Sequence, residues 1–400
     1  MMVRIDEVKL GEIATFRNGL NFSKETRGKG CLLIGIPDFK NRSTPIYESL
    51  GEINPEGVAK ADDYLKIGDV IFVRSNGNKD LVGRSLYIDK DVRALYSGFC
   101  IRARLKSKAI NPLFFSYFTK TSYFKSMISS SGGTSIQNLN QTILGNVKIP
   151  VFSESLQYRI TKILSDLDAK IELNNKVNTE LKSMTKLIYE YWFVQFDFPD
   201  QNGKPYKSSG GKMIYNEELK REIPEDWAVK NLGDYASIKK GTLITAKTSD
   251  LTGKIKVVSA GIDFSYFNSE ANYEANTITV SASGASAGFI NFWREPIFAC
   301  DCTTIRGSSL PDTLQLLGFL VMRQEHIYKQ ARGSAQPHVY PKDIEALKIA
   351  TPPKSIISEF GKLVVSGNEK ISINLNENQK LAELKDWILP MLMNGQVKVN

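Results

Sequence analysis

Three strings in this sequence carry residue types that could do chemistry. Asn111-Pro112-Leu113-Phe114 approaches the Asn/Asp-Pro-Pro-Tyr/Phe motif of adenine methyltransferases. Leu stands where the second Pro is needed, and no glycine-rich cofactor loop precedes it. The string instead predicts a helix start, with Asn as cap and Pro in the first turn. Pro199-Asp200 followed by Glu218-Leu219-Lys220 loosely fits a metal-dependent nuclease pattern, but it falls in a linker, off any predicted core strand. Cys300-Asp301-Cys302 has the wrong spacing for a Cys-x-x-Cys zinc or redox half-site. With four cysteines and two histidines, His326 and His338, the chain lacks the ligands for a disulfide scaffold or a His-rich metal centre. There is no Gly-x4-Gly-Lys-Ser/Thr phosphate loop. The expectation is a chain with no catalytic residue and no metal site.

What remains is a set of polar loops suited to phosphates and base edges. Asp69-Val70-Ile71-Phe72-Val73 predicts a strand that runs into a glycine turn bearing Arg74, Asn76, Asn78, Lys79 and Arg84. A later small-residue loop holds Ser130, Thr134, Gln137 and Asn138. The second half of the chain has matching groups: Lys239 and Lys240, then Ser283 and Ser286 after the strand Asn276–Val280, then Arg332, Ser334, Gln336 and His338. These are the candidate DNA-binding residues, and ordinary turn chemistry explains their Gly, Ser and Asn content equally well. Charge favours an anionic partner. Residues 1–150 hold 22 Lys and Arg against 14 Asp and Glu, a net +8 of the chain's +9.

The elements that must position these loops repeat at half the length of the 400-residue chain. At an offset of 200, Gly133 meets Gly333, Lys148-Ile149 meets Lys348-Ile349, and Lys170-Ile171 meets Lys370-Ile371. Asn174, Asn178, Leu181 and Ile188 meet Asn374, Asn378, Leu381 and Ile388 without a gap. Leu10-Gly11-Glu12 also resembles Leu232-Gly233-Asp234. The order is therefore A–B–A′–B′. The variable A units are strand-rich, each with a short helix near its end, over Pro112–Lys125 and Leu314–Tyr328.

The B units are long helices. Ile160, Leu164, Leu167 and Ile171, then Asn174, Asn178, Leu181 and Ile188, recur at steps of three, four or seven, a heptad seam. Ile371, Asn374, Asn378, Leu381 and Ile388 are its counterpart. The four Asn either fix register inside the seam or edge toward solvent. Thr351-Pro352 predicts the second helix start, with Pro390 and Gly395 closing it. The aromatic run Trp192–Phe198 predicts helix-end core or a partner contact rather than a base-stacking platform. Pairing B with B′ around a perpendicular pseudo-twofold axis makes an antiparallel two-helix coil. About 35 residues of helix give a spacer of about 50 Å. The expected fold class is α+β: two globular units with β-sheet cores at opposite ends of that coil. The expected boundaries are 1–150, central helix 151–198, connector 199–231, second unit 232–351 and C-terminal helix 352–400.

The connector carries a resemblance. Trp192-Phe193-Val194-Gln195-Phe196-Asp197-Phe198-Pro199, Gly203-Lys204-Pro205-Tyr206, and Ile223-Pro224-Glu225-Asp226-Trp227 closely resemble the segment joining the halves of type I restriction-modification specificity subunits. The Leu-Gly-Asp/Glu starts and the repeated helices fit the same family. The resemblance implies two target-recognition domains that read a split double-stranded DNA site. It implies partners as well, two methyltransferase subunits and restriction/motor subunits, and these would hold S-adenosylmethionine, ATP and Mg. A rival is a single-chain DNA methyltransferase or nuclease with a degenerate active site. No stretch approaches the roughly 18 apolar residues of a membrane span, and the first residues lack an apolar leader core, so the expected location is the cytoplasm.

Overall fold

A computed structural model describes residues 6–22, 27–39, 42–130, 138–331 and 337–397. The chain divides into two compact units. One comprises Met1–Glu172 with Asn378–Asn400, the other Leu173–Glu377.

The first unit is built on a four-stranded antiparallel sheet in the order Ala14–Asn18, Cys100–Leu105, Val70–Val73, Ser85–Tyr87. Val70–Val73 is an unbroken apolar run because both of its faces are covered. Val70 and Phe72 face one core and Ile71 and Val73 another, as the strand period of two requires. Phe72 stacks on Phe124, with ring centroids 5.7 Å apart. A second sheet orders Gly51–Ile53, Arg27–Ile34 and Ala94–Tyr96, the last pair parallel. Asp6–Lys9 pairs antiparallel with Lys148–Val151 and closes the unit.

The expected helix Pro112–Lys125 is two helices, Pro112–Phe118 and Ser122–Ser130. Thr119 and Thr121 break it: their hydroxyls donate back to the carbonyls of Ser116 and Phe118. Asn111 does cap the first helix, its Oδ1 accepting from Leu113 and Phe114 N–H at 2.9 and 3.2 Å.

Lys120 lies in this break, and its ammonium donates to the backbone carbonyls of Ser85 and Arg42. Burial, reinforced by Lys385 and only partly offset by Asp168, lowers its pKa to about 7; Lys125 and Arg84 add further repulsion. The folded value lies below the ordinary one, so the cost of holding the charge is full below pH 7. It disappears as pH rises from 7 toward 10. Compared with Lys120→Met, the protein should gain about 1–3 kcal/mol between pH 7 and 9. Denaturant midpoints of both proteins across that range check this; a constant gap contradicts it.

The second unit repeats the topology strand for strand. Its four-stranded sheet orders Ser237–Lys240, Cys302–Arg306, Thr277–Ser281, Ile290–Trp293. Its three-stranded sheet orders Tyr266–Asn268, Ile255–Val258, Ile297–Ala299, and Ala228–Asn231 pairs with Lys348–Thr351. The far face of Thr277–Ser281 is polar but buried, and Trp293 Nε1 donates to Thr279 Oγ1 at 2.8 Å. The expected helix Leu314–Tyr328 is again two, Leu310–Val321 and Gln324–Gln330, with Ser309 as cap. The hairpin Met213–Asn216/Arg221–Pro224 belongs to the connector and has no repeat partner among the described residues.

The long helices span Glu154–Tyr189, followed by a wide turn over Glu190–Val194, and Lys354–Met393. Thr351 is not the cap of the second helix. It ends a strand and its hydroxyl donates to the Ala228 carbonyl at 2.9 Å. Pro390 does not end that helix, which runs on to Met393 before Gly395 turns at φ 63°. In the first unit Ile160 and Leu164 are buried with Leu389, Leu392 and Met393, while Leu167, Ile171, Leu381 and Ile388 are half-buried or beside that core. Asp168 accepts from Tyr117 at 2.9 Å and from Lys385 at 2.5 Å. In the second unit Asn174 donates to Glu377 at 2.8 Å and Asn374 to Asn178 at 2.8 Å. Partner numbers fall as residue numbers rise, so the two helices run antiparallel within each unit. Asn174, Asn178 and Asn374 are buried in the seam, and Asn378 is half-buried. Ile371 is buried; Leu181 and Ile188 are half-buried, and Leu181 lies against Gly367.

Candidate nucleic-acid interface

Two loops distant in sequence meet in each unit, at the same place in the repeated fold. In the first unit Ser75 forms a β-bridge with Asn138, and Leu139 N–H donates to the Arg74 carbonyl at 2.8 Å. In the second, Ser283 bridges His338, and Val339 N–H donates to the Ala282 carbonyl at 3.0 Å. The turn after each strand closes through matched glycines. Gly83 donates to Val73 O at φ 83°, and Gly288 donates to Ser281 O at φ 89°. A side chain at either position would be strained.

The turn of the first unit is shaped by its own asparagines. Asn76 Oδ1 accepts from Asn78 N–H at 2.7 Å, and Asn78 Oδ1 from Asp80 N–H at 3.0 Å. Arg74 and Arg84 are half-buried, and Arg84 Nε donates to the Asp80 carbonyl at 3.3 Å. Lys79 lies in the short helical turn Lys79–Leu81 and Ser130 ends the helix Ser122–Ser130; their side chains are outside the described atoms. Asn138 is exposed. Thr134 and Gln137, like Arg332, Ser334 and Gln336, lie outside the described residues.

In the second unit Lys239 and Lys240 are exposed on the strand Ser237–Lys240, paired with Thr304 and Thr303. Ser283 is buried and its hydroxyl donates to Asp301 at 2.6 Å, fastening the turn. Ser286 is half-buried in the turn Gly284–Ser286. His338 is half-buried and stacks at 6.0 Å on the exposed ring of Tyr340.

Two residues here escaped the sequence reading. Phe99, 56% exposed, offers its carbonyl to the N–H groups of Arg74 and Ser75 at 2.8 and 3.3 Å. An exposed aromatic beside a basic turn is a stacking surface, but no local motif marked it. Asp301 was visible only as the middle of a Cys-x-Cys string. All four cysteines are buried and free, and no metal-holding cluster occurs among the described residues.

The nuclease-like string is used for turns. Asp200 accepts from the N–H groups of Asn202 and Lys204, both at 2.8 Å. Glu218 pairs with Lys348, and Lys220 turns at φ 55° with its ammonium 3.9 Å from Glu217. They belong to no group of three or more potential metal ligands among the described residues.

Comparison with known proteins agrees with this geometry. The family model described as the type I restriction modification DNA specificity domain matches residues 2–183 and 224–386. The chain is 28% identical over 310 residues to the type I restriction enzyme MjaIX specificity subunit of Methanocaldococcus jannaschii, covering 72% of this chain and 69% of that one. It is 24% identical to the HindI specificity subunit of Haemophilus influenzae, covering 84% and 88%. The crystal structure of the S subunit of a type I restriction-modification system from M. genitalium has the same fold, with TM-score 0.59 at 18% identity over 98% of this chain and 96% of that one. The two matched segments correspond to the two copies of the repeat, and the chain belongs to the type I restriction modification DNA specificity family.

Proposed function

We propose that residues 1–150 and 232–351 are two recognition domains, each reading one half of a split double-stranded DNA site. Residues 151–198 and 352–400 are the spacer helices, and 199–231 connect the halves. The chain is a specificity subunit and carries no catalysis of its own. The observation that carries the two-reader reading is the repeated junction, Ser75 to Asn138 in one copy and Ser283 to His338 in the other. It joins two polar segments of each unit just past the end of a central strand, Val70–Val73 or Thr277–Ser281. Phosphate contacts from Arg74, Lys79, Arg84, Lys239 and Lys240 set position, and Asn, Ser, Gln and His groups of the loops read base edges.

Methyl transfer and cleavage then belong to partners: two methyltransferase subunits with S-adenosylmethionine, and restriction/motor subunits with ATP and Mg. Two equal docking faces support two equal partners. Met184 and Leu187 on the first long helix are exposed, and so are their counterparts 200 residues on, Leu384 and Trp387. The setting is cytoplasmic, where such a complex meets DNA. No helix of the described residues is long and apolar enough to cross a membrane.

Arg74, Lys79 and Arg84 changed together to Gln should weaken duplex binding and flatten its salt dependence. The log–log slope should fall by about 0.9 for every phosphate that these side chains no longer neutralise. Binding isotherms from 50 to 200 mM salt test this; an unchanged slope removes these three residues from the interface. The same purified chain, given DNA, S-adenosylmethionine and Mg²⁺ without partners, should neither methylate nor cut. Turnover by the chain alone would favour the single-chain enzyme.

A further inference from the structure

The second unit holds a partly open cavity of about 80 Å³ where four pieces of chain meet, one of them the strand Lys348–Thr351 with Ile349 and Ala350. The end of the first long helix contributes Tyr189. The connector hairpin contributes Arg221. The helix Leu310–Val321 and the turn after it contribute Gln315, Phe319 and Arg323. One buried water needs roughly 10–15 Å³, so the space admits a group of several heavy atoms. No acidic side chain lines it.

Its two guanidiniums are held in place but not neutralised. Arg221 donates to the Val194 carbonyl at 2.5 Å and lies 4.5 Å over the Phe196 ring. Arg323 lies 3.9 Å over the Phe319 ring. Their described contacts are that carbonyl and the two rings, with no carboxylate partner among the described residues. Burial lowers the pKa of both, and Arg221 adds like-charge repulsion at Arg323. Between them stands Tyr189, whose buried phenol is pushed upward and so stays protonated as a donor. Its ring lies so close to the helix that a Cβ at Gly318 would come within 2.3 Å of it. Gln315 is 1% exposed, and its Oε1 has no hydrogen-bond partner. An amide half-turn would place Nε2, a donor, at that unpartnered position.

Arg323 is half-buried without a counter-charge, which is costly. Arg221 reaches the same pocket from its exposed rim, and planar guanidinium forks match the oxygens of phosphate. We propose that this cavity binds one free oxyanion of the phosphate class, held by Arg221 and Arg323 with Tyr189 and Gln315 as further donors. The tyrosine donor is not repeated in the first unit. The repeat counterpart of Tyr189 is Leu389. A bound oxyanion would fasten the connector hairpin to the fold of the second unit.

The test is titration of the full chain with inorganic phosphate at constant ionic strength, balanced with chloride. Thermal unfolding and ³¹P line broadening are the readouts. The melting midpoint should rise and saturate at millimolar phosphate, and the phosphate line should broaden. Arg323→Gln should abolish both effects, Arg221→Gln should weaken affinity at least tenfold, and Lys162→Gln, on an exposed helix face, should change neither. Arg221 is exposed, so its variant remains informative if Arg323→Gln fails to fold. A rise that never saturates and is equal in all variants, or no broadening, overturns the proposal: water alone then fills the cavity.

Discussion

Inserting two residues after Asn178 should unfold the second unit. The insertion rotates everything downstream in that helix by about 200°. Tyr189, Trp192 and Phe193 would leave the core they share with Phe360, Phe319 and Trp227. Phe193 meets Phe360 edge-on at 4.9 Å and stands 5.9 Å from Trp227, so the three aromatics move as a set. Removing one buried aromatic costs about 3–5 kcal/mol, and a domain has only about 5–15 kcal/mol in total. Inserting four residues turns the chain by about 400° and lengthens the helix by about 6 Å, so the apolar stripe nearly regains its direction. That protein should stay folded, with a lower melting temperature. In the assembled enzyme its half-motifs should stand one or two base pairs further apart, since DNA rises about 3.4 Å per pair along a strand. Circular dichroism melts of both proteins separate these outcomes; equal damage from the two insertions contradicts the heptad account.

Asp69→Ala should destabilise the first unit by about 3–5 kcal/mol. Asp69 is fully buried just before the central strand Val70–Val73. Both its oxygens accept from Arg104, each at 2.7 Å, and one also accepts from Lys66 N–H at 2.8 Å. Arg104 in turn donates to the Tyr64 carbonyl at 3.0 Å, so one ion pair ties the strand Cys100–Leu105 to the loop before Val70. Truncation leaves a half-buried guanidinium and an N–H without their acceptor. Asp69→Asn keeps an oxygen for Lys66 and should lose about half as much. Urea midpoints of the three proteins measure this; a loss under about 1 kcal/mol for Asp69→Ala would mean that water replaces the carboxylate.

What could be read from the sequence, and what could not, follows from the range of the interactions. The seam was legible because its signal is local: a heptad pattern from 160 to 188 and again from 371 to 388. Burial decided the Asn question for three of the four: Asn174, Asn178 and Asn374 are buried in the seam, while Asn378 is half-buried. The split after Phe118 was not legible, because Thr119 and Thr121 break the helix through side-chain bonds to its own carbonyls rather than through Gly or Pro. Thr351 looked like a cap because Ser or Thr before Pro usually is one; strand pairing with Ala228 took it instead. The candidate interface was half legible. Each polar loop stood out by composition, but the bridge that joins Ser75 to Asn138 spans more than sixty residues. No periodicity announces such a pairing. Phe99 and the cavity around Arg221 depend on the same kind of distant meeting.

The central claim is that the two copies of the fold read DNA independently. The most direct measurement exchanges residues 10–148 for the equivalent segment of another member of the family and maps the methylated motif of a host expressing the assembled complex. One half of the split motif should change to the donor's, and the other half should remain as it was, with the methylated adenine still present on each strand. A change in both halves, or in neither, would contradict independent readers.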